Sequence, residues 1–225
     1  TGAGTAIGSY SPRNLDGLAY DADTGTLYGV DLVSDDLWTV NPSTGAASFV
    51  GSLGVNPVNT GLAYDVNADV LYMTVGTDTL FSVNPLTGVA SAIGTYAAPQ
   101  SISGLAFDPN TNTLYGVDSS RGDLYTLDIG TGASTFVGDL GASWGTGTGG
   151  AAFDPVSNTL YATETFFDRL YTIDTSTGTA TPIGTGTGFN GINGLALAVP
   201  EPGTGLLVLA GLLAIGLTSG ASRRA

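Results

Sequence analysis

The sequence predicts an all-β chain folded as a propeller of four-stranded blades, and three observations predict it. A five-residue motif returns at a near-constant period, bulky apolar residues stand in adjacent pairs inside each unit, and Gly or Asx residues stand where hairpins must turn. Gly17-Leu18-Ala19-Tyr20-Asp21 recurs as Gly61-Leu62-Ala63-Tyr64-Asp65, Gly104-Leu105-Ala106-Phe107-Asp108 and Gly150-Ala151-Ala152-Phe153-Asp154. It returns in part as Gly194-Leu195-Ala196-Leu197, the spacings being 44, 43, 46 and 44 residues. Repeats of this length with four short strands per unit read as blades; a β-solenoid rung is shorter.

Each unit divides alike. A first strand at 17–21 leads through a turn to a second at 26–30, a third at 36–40 and a fourth at 47–51. Second strands carry Leu27-Tyr28, Leu71-Tyr72, Leu114-Tyr115 and Leu160-Tyr161. Third strands carry Leu37-Trp38, Leu80-Phe81, Leu124-Tyr125 and Leu170-Tyr171. Neighbours on a strand point to opposite faces, so these doublets suit a sheet covered on both sides, as a blade between two others is.

The turns agree. Gly45, Gly88, Gly132 and Gly178 precede the fourth strands, where a hairpin needs a residue tolerating positive φ. Gly25, Asp69, Asn112 and Asn158 close the first turns, and these types accept that conformation too. Small Ala19, Ala63, Ala106, Ala152 and Ala196 suit innermost strands crowded around an axis. No segment before Gly203 keeps a helical apolar period.

Closure needs more than the four whole repeats. Thr5-Ala6-Ile7-Gly8 matches a fourth strand and 194–199 matches a first. These two partial repeats make part of a closing blade that lacks its second and third strands. The expectation is a propeller truncated at its N-terminus, with those strands and a secretory signal upstream of Thr1 and the number of blades left open. The propeller repeats thus occupy 1–199, with units starting near 17, 61, 104, 150 and 194.

After Val199 the composition changes. Val199-Pro200-Glu201-Pro202 is followed by twenty uncharged residues, 203–222, and then Arg223-Arg224. As a helix, that run spans about 30 Å, the thickness of a bilayer's hydrocarbon core. The arginines would hold the C-terminus in the cytoplasm and leave the propeller outside.

Residues 200–225 resemble the PEP-CTERM sorting signal of Gram-negative bacteria that make extracellular polysaccharide. The resemblance implies recognition at Pro200, Glu201 and Pro202, a membrane stop in 203–222, and an anchor at Arg223 and Arg224. It also implies processing by an exosortase-type enzyme, a membrane-bound cysteine protease-like protein. The chain would be held at the inner membrane first, then released to the cell surface or matrix. The repeats, with Leu-Tyr and Asn-Pro-x-Thr-Gly units, look like those of PEP-CTERM proteins and more loosely like YVTN-type propellers. An ordinary single-span anchor would place the propeller on the same side.

Composition excludes several chemistries. The formal charge of −14 gives no basic surface for nucleic acid. His, Cys and Lys are absent. The chain therefore has no Ser-His-Asp triad, thiol nucleophile, Schiff-base lysine or His-ligated metal. No cofactor motif is present, and the reading is a non-enzymatic chain. Calcium is the one metal left open, through Asp21-x-Asp23-x-Gly25, Asp65-x-Asn67-x-Asp69 and Asp108-x-Asn110-x-Asn112. An EF-hand loop would need Gly and Glu where Thr113 and Ser119 stand, and Asx turns explain the same spacing. The Gly-rich run 145–150 lacks the Lys of a phosphate loop.

A binding role fits better. The loops between second and third strands open on one face with the interblade connectors. That face gathers Asp31, Asp118 and Glu164, with Arg13, Arg121 and Arg169, and with Trp144, Phe166 and Phe167. Carboxylates and Arg beside aromatics suit carbohydrate or peptide, so the expected partner is extracellular polysaccharide or an envelope protein. Two alternatives stay open. One is an extracellular hydrolase or lyase using Asp, Glu or Tyr of this face; the other is a purely structural matrix protein.

Overall fold

A computed structural model describes residues 4–6, 15–76, 78–96, 101–141, 144, 147–186, 194–198 and 212–213. Each whole repeat is one antiparallel sheet with its strands in chain order. Blade 1 holds β1 (Leu15–Asp21), β2 (Thr26–Asp31), β3 (Asp36–Val40) and β4 (Ala47–Ser52). Blade 2 holds β5 (Leu62–Asp65), β6 (Val70–Val75), β7 (Thr79–Val83) and β8 (Ala90–Thr95). Blade 3 holds β9 (Ile102–Asp108), β10 (Thr113–Asp118), β11 (Asp123–Leu127) and β12 (Ser134–Asp139). Blade 4 holds β13 (Thr148–Asp154), β14 (Thr159–Glu164), β15 (Arg169–Ile173) and β16 (Ala180–Ile183). A further pair, β17 (Ala196–Leu197) and β18 (Leu212–Leu213), forms a short sheet.

The doublets divide as the two-faced reading requires. Leu71 packs with Leu37, Leu53 and Leu62 between blades 1 and 2, whereas Tyr72 packs with Leu105, Leu114 and Tyr125 between blades 2 and 3. Leu114 belongs to that second layer, and Tyr115 to the next, with Leu124, Phe153 and Leu160. Third strands divide in the opposite sense, Leu124 joining Tyr115 while Tyr125 joins Leu114. Every doublet thus feeds two core layers, which is why both of its members are bulky.

The described residues supply five innermost positions to the ring. A Cβ on Gly17 would come 2.8 Å from Leu62, and one on Gly61 would come 2.9 Å from Leu105. One on Gly150 would come 2.3 Å from the Leu195 nitrogen, and one on Gly194 would come 2.6 Å from the Asp16 carbonyl oxygen. The recurring Gly is therefore the point where successive innermost strands touch, and β17 closes the circle between blades 4 and 1. The described residues form a propeller of four complete blades with a fifth innermost strand.

The turn chemistry follows the sequence. Gly25, Asp69, Asn112 and Asn158 have φ of 70°, 55°, 56° and 54°. Asp21, Asp65 and Asp108 accept backbone N–H bonds from Asp23, Asn67 and Asn110, each at 2.9 Å. The second Asx does more than turn the chain. The side-chain amides of Asn67 and Asn110 donate to the carbonyls of Pro109 and Pro155 in the next blade, at 3.0 and 2.9 Å. The three acidic turns lie in separate blades, and among the described residues no three carboxylates converge on one metal position.

Among the described residues no helix is long and apolar enough to cross a membrane. Of the expected span 203–222, only Leu212–Leu213 are described, and they form β18. Pro200, Glu201, Pro202, Arg223 and Arg224 lie outside the described residues. Of the expected fourth strand at 5–8, Thr5 and Ala6 are described, without regular structure.

Candidate functional site

The second strands of blades 1, 3 and 4 end in Asp31, Asp118 and Glu164, all fully buried. An unpaired buried carboxylate is costly, and each of these turns back into its own loop. Asp31 accepts the Val33 N–H at 2.9 Å. One oxygen of Asp118 accepts from the Ser101 N–H at 3.2 Å, the Ser120 N–H at 2.8 Å and hydroxyl at 2.6 Å, and the Arg121 N–H at 3.3 Å. Its other oxygen has no hydrogen-bond partner among the described residues. Glu164 accepts the Phe166 N–H, and the Phe167 N–H at 2.7 Å. These acids hold loops in shape rather than presenting charge to solvent.

The loop pinned by Glu164 carries apolar side chains outward. Phe166 is 69% exposed and Phe167 46%, their rings edge to face at 4.8 Å. The Arg169 guanidinium lies 5.2 Å from the Phe167 ring centre, within cation–π range. It also hydrogen-bonds Tyr171, whose hydroxyl burial pushes up in pKa. Trp144 is buried against Tyr171 at 4.8 Å, and a Cβ on Gly122 would come 3.2 Å from its ring.

The connector ties the neighbouring loops together. The Gly147 N–H donates to the Ser119 carbonyl at 3.2 Å, and the Thr165 N–H to the Gly147 carbonyl at 3.1 Å. Glu164, Phe166, Phe167, Arg169 and Trp144 thus gather at blade 4. Asp118 and Arg121 adjoin them on blade 3, where the Tyr125 hydroxyl donates to Asp123 at 3.3 Å. Asp31 sits apart in blade 1, and Arg13 lies outside the described residues.

Asp16 was not legible as a special position. It accepts the Thr60 N–H at 3.3 Å, and burial raises its pKa from 3.8 to about 6. Its signal was weak: an acid just before the recurring Gly, where other units carry Thr60 and Ser103. The folded chain holds this proton more tightly than the unfolded chain does. Stability from this group therefore falls as pH rises between 3.8 and about 6, and the cost is fully present above that window. Asp16→Asn is expected to raise the unfolding free energy by about 1–2 kcal/mol near neutral pH, allowing for partial exposure. It should change little near pH 4. Urea titrations at the two pH values check this; an equal effect at both would contradict it.

A family model of a repeat of unknown function, DUF6923, matches residues 3–161. The chain belongs to that family. No curated protein matches. Solved structures match the fold of this DUF6923 protein at low identity. A chain of the nidogen/laminin complex aligns at TM-score 0.60 and 17% identity, over 82% of this chain and 68% of that one. The calcium-binding protein regucalcin of Agrobacterium tumefaciens aligns at TM-score 0.53 and 18% identity, over 84% and 66%. The PQQ-bound aldose sugar dehydrogenase of Streptomyces coelicolor aligns at TM-score 0.52 and 13% identity, over 88% of each chain. At such identities the likeness is one of fold.

Proposed function

We propose that this DUF6923 chain is an exported, non-enzymatic binding module, sorted by a PEP-CTERM-type tail. In this reading it meets extracellular polysaccharide with the loop face of blades 3 and 4. The observation that carries the binding role is the Phe166–Phe167 pair, exposed on a loop that the buried Glu164 holds rigid. An aromatic pair in water is costly to keep unless something covers it. Flat rings beside Arg169 suit the apolar faces and hydroxyls of sugars. The ordered Pro-Glu-Pro, apolar and Arg segments support export.

The propellers of similar fold come from a protein complex, a calcium binder and an enzyme, so the fold alone favours no single role. Glu164, the one Glu before the tail, has both oxygens already taken by N–H bonds, which weighs against its use as an acid catalyst. Glycan arrays probed with the purified protein test the reading. Saturable binding to a polysaccharide is expected, and Phe167→Ala should weaken it at least about tenfold, or about 1.4 kcal/mol. No binding to any glycan, or equal binding by the variant, would overturn it. Trp144→Ala is a poor probe, because Trp144 is buried against Tyr171.

A further inference from the structure

Among the described residues, five innermost strands stand beside four complete blades, so one seat in the ring lacks a full blade. In each complete blade the second strand meets the first in one register. Ala19 faces Tyr28 and Tyr20 faces Leu27; Ala63 faces Tyr72 and Tyr64 faces Leu71. Ala106 faces Tyr115 and Phe107 faces Leu114; Ala152 faces Tyr161 and Phe153 faces Leu160. On β17 the same two places, opposite Ala196 and Leu197, are taken by Leu213 and Leu212. The place beside β17 is thus a strand position in the blade register.

The missing aromatic ring has a defined place. In blades 1 to 3 the second-strand Tyr packs against the first-strand aromatic of the next blade. Tyr28 lies 5.9 Å from Tyr64, Tyr72 lies 6.1 Å from Phe107, and Tyr115 lies 6.0 Å from Phe153. Tyr20 is the corresponding residue of blade 1, and among the described residues no ring packs on it. Tyr161, facing the same seat from blade 4, is only half-buried, whereas Tyr28, Tyr72 and Tyr115 are buried. The outer rim is prepared as well. Cβ atoms on Gly88, Gly132 and Gly178 would come 2.6 Å from the fourth-strand Gly51, Gly94 and Gly138 of the preceding blade. Gly45 holds the same conformation, with φ of 74°.

We infer that the fifth position is a strand-accepting site, and that its ligand is a β-hairpin of this chain's own repeat chemistry. The first arm carries a Leu–Tyr doublet and the second a Leu–aromatic doublet. By the pattern of the complete blades, the first-arm Leu enters the layer with Leu170 and Leu195, while the Tyr covers Tyr20. Main-chain bonds to β17 supply affinity, and the doublet sets register, because a one-residue slip sends each side chain to the wrong face. The site is separate from the loop face of blades 3 and 4, so either assignment can fail alone.

The test uses the full chain held in dodecyl maltoside. It is titrated by fluorescence anisotropy with a labelled peptide copying residues 26–40, and with the same peptide carrying Leu27 and Tyr28 exchanged. The first peptide is expected to bind saturably at micromolar concentration, and the exchanged one at least about tenfold more weakly. Tyr20→Ala should weaken the first several-fold. No binding, or equal binding of both peptides, overturns the inference. The chain has no Cys, so Ala196→Cys with Leu213→Cys reports whether the tail holds the seat. Complete cross-linking with no peptide binding would assign the seat to the tail and overturn the inference as well.

Discussion

Gly138→Ala is expected to destabilise the propeller by about 3 kcal/mol, at the upper end for overpacking. A Cβ at Gly138 would stand 1.8 Å from the Thr177 carbonyl oxygen and 2.7 Å from the Thr177 carbonyl carbon. Both are backbone atoms of the turn in the next blade, so no rotamer change makes room. The turn itself is tied down: the Gly178 N–H donates to the Asp174 carbonyl at 2.8 Å, and the Ala180 N–H to the Leu140 carbonyl at 3.0 Å. Blades 3 and 4 would have to part at the rim. Gly54→Ala is the matched control, with φ of 72° and open space around it. Its cost is the conformational penalty alone, about 1 kcal/mol. Equal costs in urea unfolding would mean that the blades do not meet there.

Leu114→Ala is expected to cost about 3–4 kcal/mol. Leu114 is fully buried and lies with Leu105, Phe107, Tyr125 and Leu127 in the layer between blades 2 and 3. That layer is built from strands of two sheets that are each braced on their far side. Neither sheet can shift toward the vacated volume without opening the layer beyond it. The cavity would therefore persist, and a persistent cavity places the cost high in the usual range.

Much of the fold was legible because its determinants are local and repeated. Leu27-Tyr28 and its counterparts reveal two buried faces through alternation alone, and Asn112 or Asn158 marks a turn by its tolerance of positive φ. The fifth innermost strand was legible from Gly194-Leu195-Ala196. The reason Gly must stand there was not, because the close approach to Asp16 belongs to the assembled ring. The site was harder to read. Asp31, Asp118 and Glu164 stand next to exposed loops in the sequence, and only the folded loop shows their oxygens bent back onto N–H groups. Phe166 and Phe167 carry no periodic signal that separates an exposed pair from a buried one. The interblade reach of Asn67 and Asn110 spans about one repeat and leaves no local trace.

Central to all of this is a ring in which each blade is covered on both faces. Tyr115→Ala, measured beside Leu114→Ala under identical conditions, addresses it most directly. The two residues are neighbours on β10, yet Leu114 belongs to the layer with blade 2 and Tyr115 to the layer with blade 4. Each substitution should cost at least about 2–3 kcal/mol. A cost near zero for either one would mean that its side of the sheet faces water.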